Sequence, residues 1–185
     1  MDIPIYYSSI TGNTKALADY VAEDLRILGH RVEIFPSSAS DQGSIPEEDS
    51  GESGGICILA FWCRRSGLDD LSIRTLSRWK GRRVLAMGTI GGQVKGEYGD
   101  RVRRNVREMI SQDNECLGVC ICQGSVDLKR IEKRRQLPRE SKHHVSEEKY
   151  RRLLKTQGHP DQDDLKTVAA DVRLILASQT AAPDV

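Results

Sequence analysis

The sequence predicts an α/β fold, a three-layer sandwich in which a parallel β-sheet is covered by helices on both faces. Three observations carry this. Short apolar, β-rich runs alternate with segments whose apolar residues recur every three or four positions, the order of strands joined by crossover helices. Residues 56–61 (ICILAF) are apolar throughout, as in a strand buried on both faces. A turn of hydroxyl residues and glycine separates the first strand pattern from the first helix pattern. At 185 residues the chain can bury one sizeable core, and 1–185 is read as a single domain.

The elements follow in order. Residues 3–7 form a short apolar strand that ends in the turn Ser8-Ser9-Ile10-Thr11-Gly12. Over 13–28, Leu17, Ala18, Val21, Ala22, Leu25 and Leu28 recur at helical spacing, and Gly29 is a stop signal. A second strand is expected over 31–35. Residues 36–55 are rich in Ser, Gly, Asp and Glu without an apolar period, and read as a long surface loop where a helix would otherwise stand. After the central strand, Leu68, Leu71, Ile73, Leu76 and Trp79 predict a helix over 68–79. A fourth strand is expected over 83–87, followed by a glycine-rich loop, Gly88, Thr89, Ile90, Gly91 and Gly92. Val102, Val106, Met109 and Ile110 mark a helix over 99–112, and 117–122 is the fifth strand. Residues 125–160 are highly charged, with helical patterns over 127–136 and 147–156, and read as an inserted lid or docking surface. A closing helix spans 163–177.

Composition narrows the function. The longest apolar runs fall far short of the roughly 20 residues of a membrane span, and the first residues lack the basic start and cleavage site of a secretory signal. A reducing cytoplasm is the expected location. Five cysteines are an odd number in a chain able to bury its own core, which favours free thiols over a disulfide framework. Their spacing does not match zinc knuckles, and no metal site is assigned. Net charge is +1, but residues 1–60 carry 3 Lys/Arg against 10 Asp/Glu, and residues 61–160 carry 23 against 12. No row of aromatics accompanies the basic residues, so they read as solvated helix faces and not as a nucleic-acid surface. His143, His144 and His159 are assigned to the same solvated surface.

Ligands of open parallel sheets lie at the carboxyl ends of the strands beside the switch point, which directs attention to 8–14, 61–67 and 88–98. In the first of these, Ser9, Ile10, Thr11, Gly12, Asn13 and Thr14 open the first helix. Hydroxyls and unsatisfied backbone N–H groups there suit an anion, the helix dipole favours negative charge, and Gly12 allows close approach. The turn has no arginine fork and only Lys15 nearby, so a terminal phosphate held by hydroxyls and amides fits best. Neither the P-loop pattern nor G-x-G-x-x-G is present.

The segment YYSSITGNTKALADYVAEDL (6–25) resembles the start of a flavodoxin, in which [ST]-x-T-G-x-T follows the first strand; Ser9, Thr11, Gly12 and Thr14 match it. ILAFWCRRSG (58–67) stands in the place of the second flavin loop and LAMGTIGG (85–92) in that of the third. A later ICQG (121–124) is followed by Asp127. This order is similar to a flavodoxin-domain branch of anaerobic bacteria, some members of which are encoded beside bilirubin reductase. The likeness covers roughly 3–178 and is weakest over 36–55.

The resemblance implies a five-stranded parallel sheet of order 2-1-3-4-5 and non-covalently held FMN. It places the phosphate on Ser9 to Thr14 and the ring between Phe61, Trp62, Cys63 and Arg64 on one side and Gly88, Thr89, Ile90, Gly91 and Gly92 on the other. Trp62 is the stacking candidate, Phe61 the more structural of the pair, and Tyr98 is assigned to helix packing. The implied function is electron transfer to a partner reductase, with redox proteins as partners, a homodimer left open, and no catalytic acid or base. The alternative is an FMN-dependent oxidoreductase acting directly on a small molecule. One departure is plain: Arg64 and Arg65 stand beside the presumed flavin edge, where flavodoxins are acidic.

Overall fold

The computed structural model describes residues 1–37 and 55–180, so most of the loop expected over 36–55 lies outside the described residues. Five strands, β1 (Asp2–Tyr7), β2 (Arg31–Pro36), β3 (Ile56–Trp62), β4 (Arg83–Ile90) and β5 (Glu115–Gln123), pair in parallel in the order β2-β1-β3-β4-β5. The order reverses between β1 and β3, which makes their carboxyl ends the switch point. Six helices are described: α1 (Asn13–Ile27), α2 (Asp70–Ser77), α3 (Glu97–Ile110), α4 (Leu128–Arg135), α5 (Glu147–Leu154) and α6 (Gln162–Thr180).

Alternation along the strands divides the core in two. Ile3, Ile5, Ile58, Leu85, Met87, Cys120 and Cys122 face α1 and α6, meeting Leu17, Val21, Leu25, Val168 and Val172. Leu59, Phe61, Val84, Ala86 and Ile121 face the opposite layer, with Leu76, Trp79, Val102, Val106 and Ile110. Burying each such Leu, Val, Ile or Phe contributes about 1.5–3 kcal/mol, which is why the central strands read as continuous apolar runs. The layers are thus α1 and α6, the sheet, and α2 and α3. The charged segment after β5 supplies α4 and α5 as an insertion at the sheet's carboxyl edge.

Most element ends differ by a residue or two from the expected ones, and the differences in α2, β3 and β4 bear on the site. α2 starts at Asp70 because the Asp69 carboxylate accepts hydrogen bonds from the N–H groups of Leu71 and Ser72, and it ends at Ser77. Trp79 therefore lies past the helix, fully buried and edge-on to Tyr6 at 5.1 Å between ring centroids. β3 runs one residue further, so Trp62 is its last residue and pairs with Thr89. β4 continues to Ile90, so Gly88, Thr89 and Ile90 belong to a strand and not to a loop. Gly88 is required there by packing: a Cβ would lie 2.5 Å from Cζ of Phe61, whose ring occupies that space.

Candidate functional site

A cavity of about 590 Å³ opens at the carboxyl edge, within the usual size of small-ligand sites. Its walls come from the turn into α1, the end of β3 and the turn after it, the end of β4, and the segment from Gly124 into α4.

The first wall is the start of α1. Gly12 is its N-cap in the left-handed region at φ 88°, where a side chain would be strained, and no side chain caps the helix. Its first turn carries no acid. Thr11, Asn13 and Thr14 line the cavity, as does Ile10, which is 68% exposed. The fully buried Thr14 hydroxyl bonds that of Thr89 at 2.9 Å, tying α1 to β4. Ser9 stands behind the turn, where its hydroxyl accepts from Gly12 N–H at 3.1 Å.

The second wall begins at Trp62, half-buried and facing the cavity. Cys63 N–H donates to the Thr89 carbonyl at 2.9 Å, which prolongs the sheet by one bond. Arg64 and Gly67 exchange two backbone bonds of 3.0 Å around a tight turn. Both corners, Arg65 at φ 53° and Ser66 at φ 61°, are left-handed without being glycine. Such positions store on the order of 1–3 kcal/mol of strain each and cluster at functional sites. The Asn105 amide donates to the Ser66 carbonyl at 2.9 Å and holds the turn. Arg64 is paired with Asp70, whereas Arg65 projects into solvent at the rim.

The surroundings of Cys63 disfavour its thiolate. Burial pushes its thiol up from the usual value, more than the hydrogen bond with Tyr98 at 3.6 Å lowers it. Tyr98 itself is pushed up to about 12, chiefly by burial, and packs beside Gly92 outside the cavity lining.

The third wall comes from the insertion that the sequence reads as a lid or docking surface, although none of its residues is assigned there to the ligand. Gly124, Ser125, Val126, Asp127, Arg130, Ile131, Arg134 and His143 line the cavity from the side of β5 and the insertion. The Asn13 amide donates to the Ser125 carbonyl at 2.8 Å, fixing this segment against the start of α1. Asp127 caps α4 through Arg130 N–H, and Ile131 is buried beneath it. Two signals pointed here: the carboxyl-edge rule applies equally to the loop after β5, and Ile131 is an apolar residue within a basic helix. His143, expected in solvent, is exposed and also lines the cavity. His159 is also not simply solvated: its ring bonds Asp164, and Asp161 and Asp164 cap the start of α6 through backbone N–H groups.

Of the residues expected at a ligand, the cavity brings together Ile10, Thr11, Asn13, Thr14, Trp62, Cys63, Arg64, Thr89, Ile90 and Gly91. Ser9, Gly12, Phe61, Gly88 and Gly92 do not line it. Phe61 is fully buried on the α2–α3 side, since alternation turns it away from Trp62.

A family model for the Flavodoxin domain matches residues 4–173. A curated relative, the flavodoxin-like domain-containing protein BilS of Clostridioides difficile, is 27% identical over 167 residues, covering 87% of this chain and 88% of its own. Among solved structures, oxidised flavodoxin 1 of Bacillus cereus aligns with a TM-score of 0.56 at 15% identity, over 96% of this chain and 98% of that one. Oxidised flavodoxin 2 of the same organism gives 0.55 at 16% identity, over 97% and 99%. At such identities these two structures bear on the fold alone.

Proposed function

Because the chain belongs to the Flavodoxin domain family, we propose that its cavity holds FMN and that the protein passes electrons between redox partners in the cytoplasm. One observation carries the reading: α1 opens uncapped, without an acid in its first turn, into a cavity bounded by an indole and a strand-end glycine. An uncapped helix start leaves N–H groups aimed at an anion, and the dipole adds favourable charge. A phosphomonoester suits that position, with the Thr11 hydroxyl as a further donor. The cavity's volume and its aromatic wall fit a ring system beyond the phosphate.

FMN supplies the redox chemistry that side chains lack. The protein's part is to bind, orient and shield. Trp62 offers a flat apolar face for stacking, and Gly91 leaves room for a ring edge against the end of β4. No described helix is long and apolar enough to cross a membrane.

The reading is tested by titrating the purified protein with FMN while following flavin fluorescence and the visible spectrum. Saturable quenching at one FMN per chain is expected. No change in fluorescence, absorbance or heat on titration would refute it. Turnover of a defined small molecule by the loaded protein without a protein partner would favour the oxidoreductase alternative.

A further inference from the structure

We propose that Arg130 and Arg134 form a second anion-binding position in the cavity, one that closes over the phosphate of a bound phosphomonoester opposite the start of α1. The inference rests on the FMN reading and adds a charged contact that the opening turn lacks.

α4 divides its basic residues between two sides. Arg135 turns to α5, bonded to Glu147 at 2.6 Å and stacked 4.0 Å over the Tyr150 ring. Arg130 and Arg134, one turn apart, line the cavity, and among the described residues neither guanidinium has an ion pair or hydrogen bond. Arg134 is half-buried. A half-buried cation has lost part of its hydration, and like charges one turn apart repel, so the pair is unfavourable until an anion joins it. Across the cavity Arg64 is already matched by Asp70. Asp127 is the one carboxylate residue among those lining the cavity, and its side chain is engaged in capping α4.

Placement relative to α1 is fixed by bonds rather than by chance proximity. Asn13 grips the Ser125 carbonyl two residues before Asp127 begins the helix. Gly124 passes so close to Thr89 and Asn13 that an added Cβ would lie 3.0 and 3.2 Å from them. The first turn of α4 is thereby held against the same cavity as Thr11 and Thr14. Guanidinium is the side chain best shaped to meet phosphate oxygens two at a time. The insertion is then a clamp that distinguishes a phosphorylated flavin from an unphosphorylated one.

The test compares FMN with riboflavin. Both are titrated by fluorescence into wild-type protein and into Arg130→Gln, Arg134→Gln and the double variant, at about 50 and about 500 mM salt. Each substitution is expected to weaken FMN about tenfold or more while leaving riboflavin unchanged, and the double variant's FMN affinity should lose its salt dependence. The Arg130→Lys/Arg134→Lys variant should recover part of the loss. Equal FMN affinity in the double variant overturns the clamp, as does a parallel loss of FMN and riboflavin, which would assign the arginines to packing. Circular dichroism confirms that each variant is folded. Wild-type protein that takes up neither flavin ends the FMN reading itself, whereas wild-type uptake with unaltered variants ends this inference alone.

Discussion

The Ser8 hydroxyl donates a 2.8 Å hydrogen bond to the Asp69 carboxylate, so that the end of β1 is tied to the start of α2 through a fully buried acid. Asp69 also accepts from the Ser72 hydroxyl and from the N–H groups of Leu71 and Ser72. The two turns that flank the cavity are thereby set at a fixed separation.

Asp69→Ala should therefore destabilise the protein by about 2–4 kcal/mol, combining a lost cap with unsatisfied buried donors. Asp69→Asn keeps the shape and should lose less. Urea unfolding measures both. A loss below about 0.5 kcal/mol for Asp69→Ala would contradict the tie.

Thr11→Val should weaken FMN by about 1.5–3 kcal/mol, the worth of a hydrogen bond to a charged acceptor, without changing the unfolding midpoint. Thr14→Val should in addition cost about 1 kcal/mol of stability, because it strips the partner from the Thr89 hydroxyl. Calorimetric titration and urea unfolding separate the two effects. Equal behaviour of the variants would show that the Thr14–Thr89 bond carries no weight.

Trp62→Ala should reduce FMN affinity about 2–10-fold, as expected for a stacking contact of about 0.5–1.5 kcal/mol. It should also relieve quenching of flavin fluorescence and raise the bound flavin's potential, since an electron-rich indole disfavours added negative charge. Unaltered quenching and potential would remove the indole from the ring's neighbourhood.

Gly88→Ala should destabilise by about 1–3 kcal/mol through overpacking against Phe61. Adding Phe61→Leu should return part of that loss, giving a non-additive pair in a double-mutant cycle. Additive effects would mean that the ring is not the obstacle.

Burial, the largest cause in each, pushes the Cys120 and Cys122 thiols up to about 12 from an ordinary value of 9.0. A raised folded value favours the neutral form in the native state. The corresponding stability is complete below pH 9 and is lost as pH rises toward 12, at up to about 1.4 kcal/mol per pH unit per thiol. Urea midpoints should fall over that range. Cys122→Ala should flatten the decline, and an unchanged slope would deny that thiol a part in it.

Local pattern revealed α1 and its opening turn, because helical spacing and hydroxyl spacing are both short-range. It misread Gly88, whose reason is the Phe61 ring on a neighbouring strand, and it ended β4 early because glycines suggest a turn. The third wall was hidden for the same cause at larger scale. The bond between Asn13 and Ser125 spans 112 residues, and nothing periodic in either segment announces it. The sequence marks the segment after β5 as a lid or docking surface, and applying the carboxyl-edge rule to every strand would have named its lining residues.

The insertion leaves and returns at a single place. Ser125 N–H donates to the His159 carbonyl at 2.7 Å, and Val126 N–H to the Thr156 hydroxyl at 3.2 Å. An excursion whose two feet are bonded together can be lengthened, trimmed or exchanged between relatives without disturbing the strands beneath it. The sheet that supports the cavity and the insertion that closes one side of it can therefore evolve at different speeds within one chain.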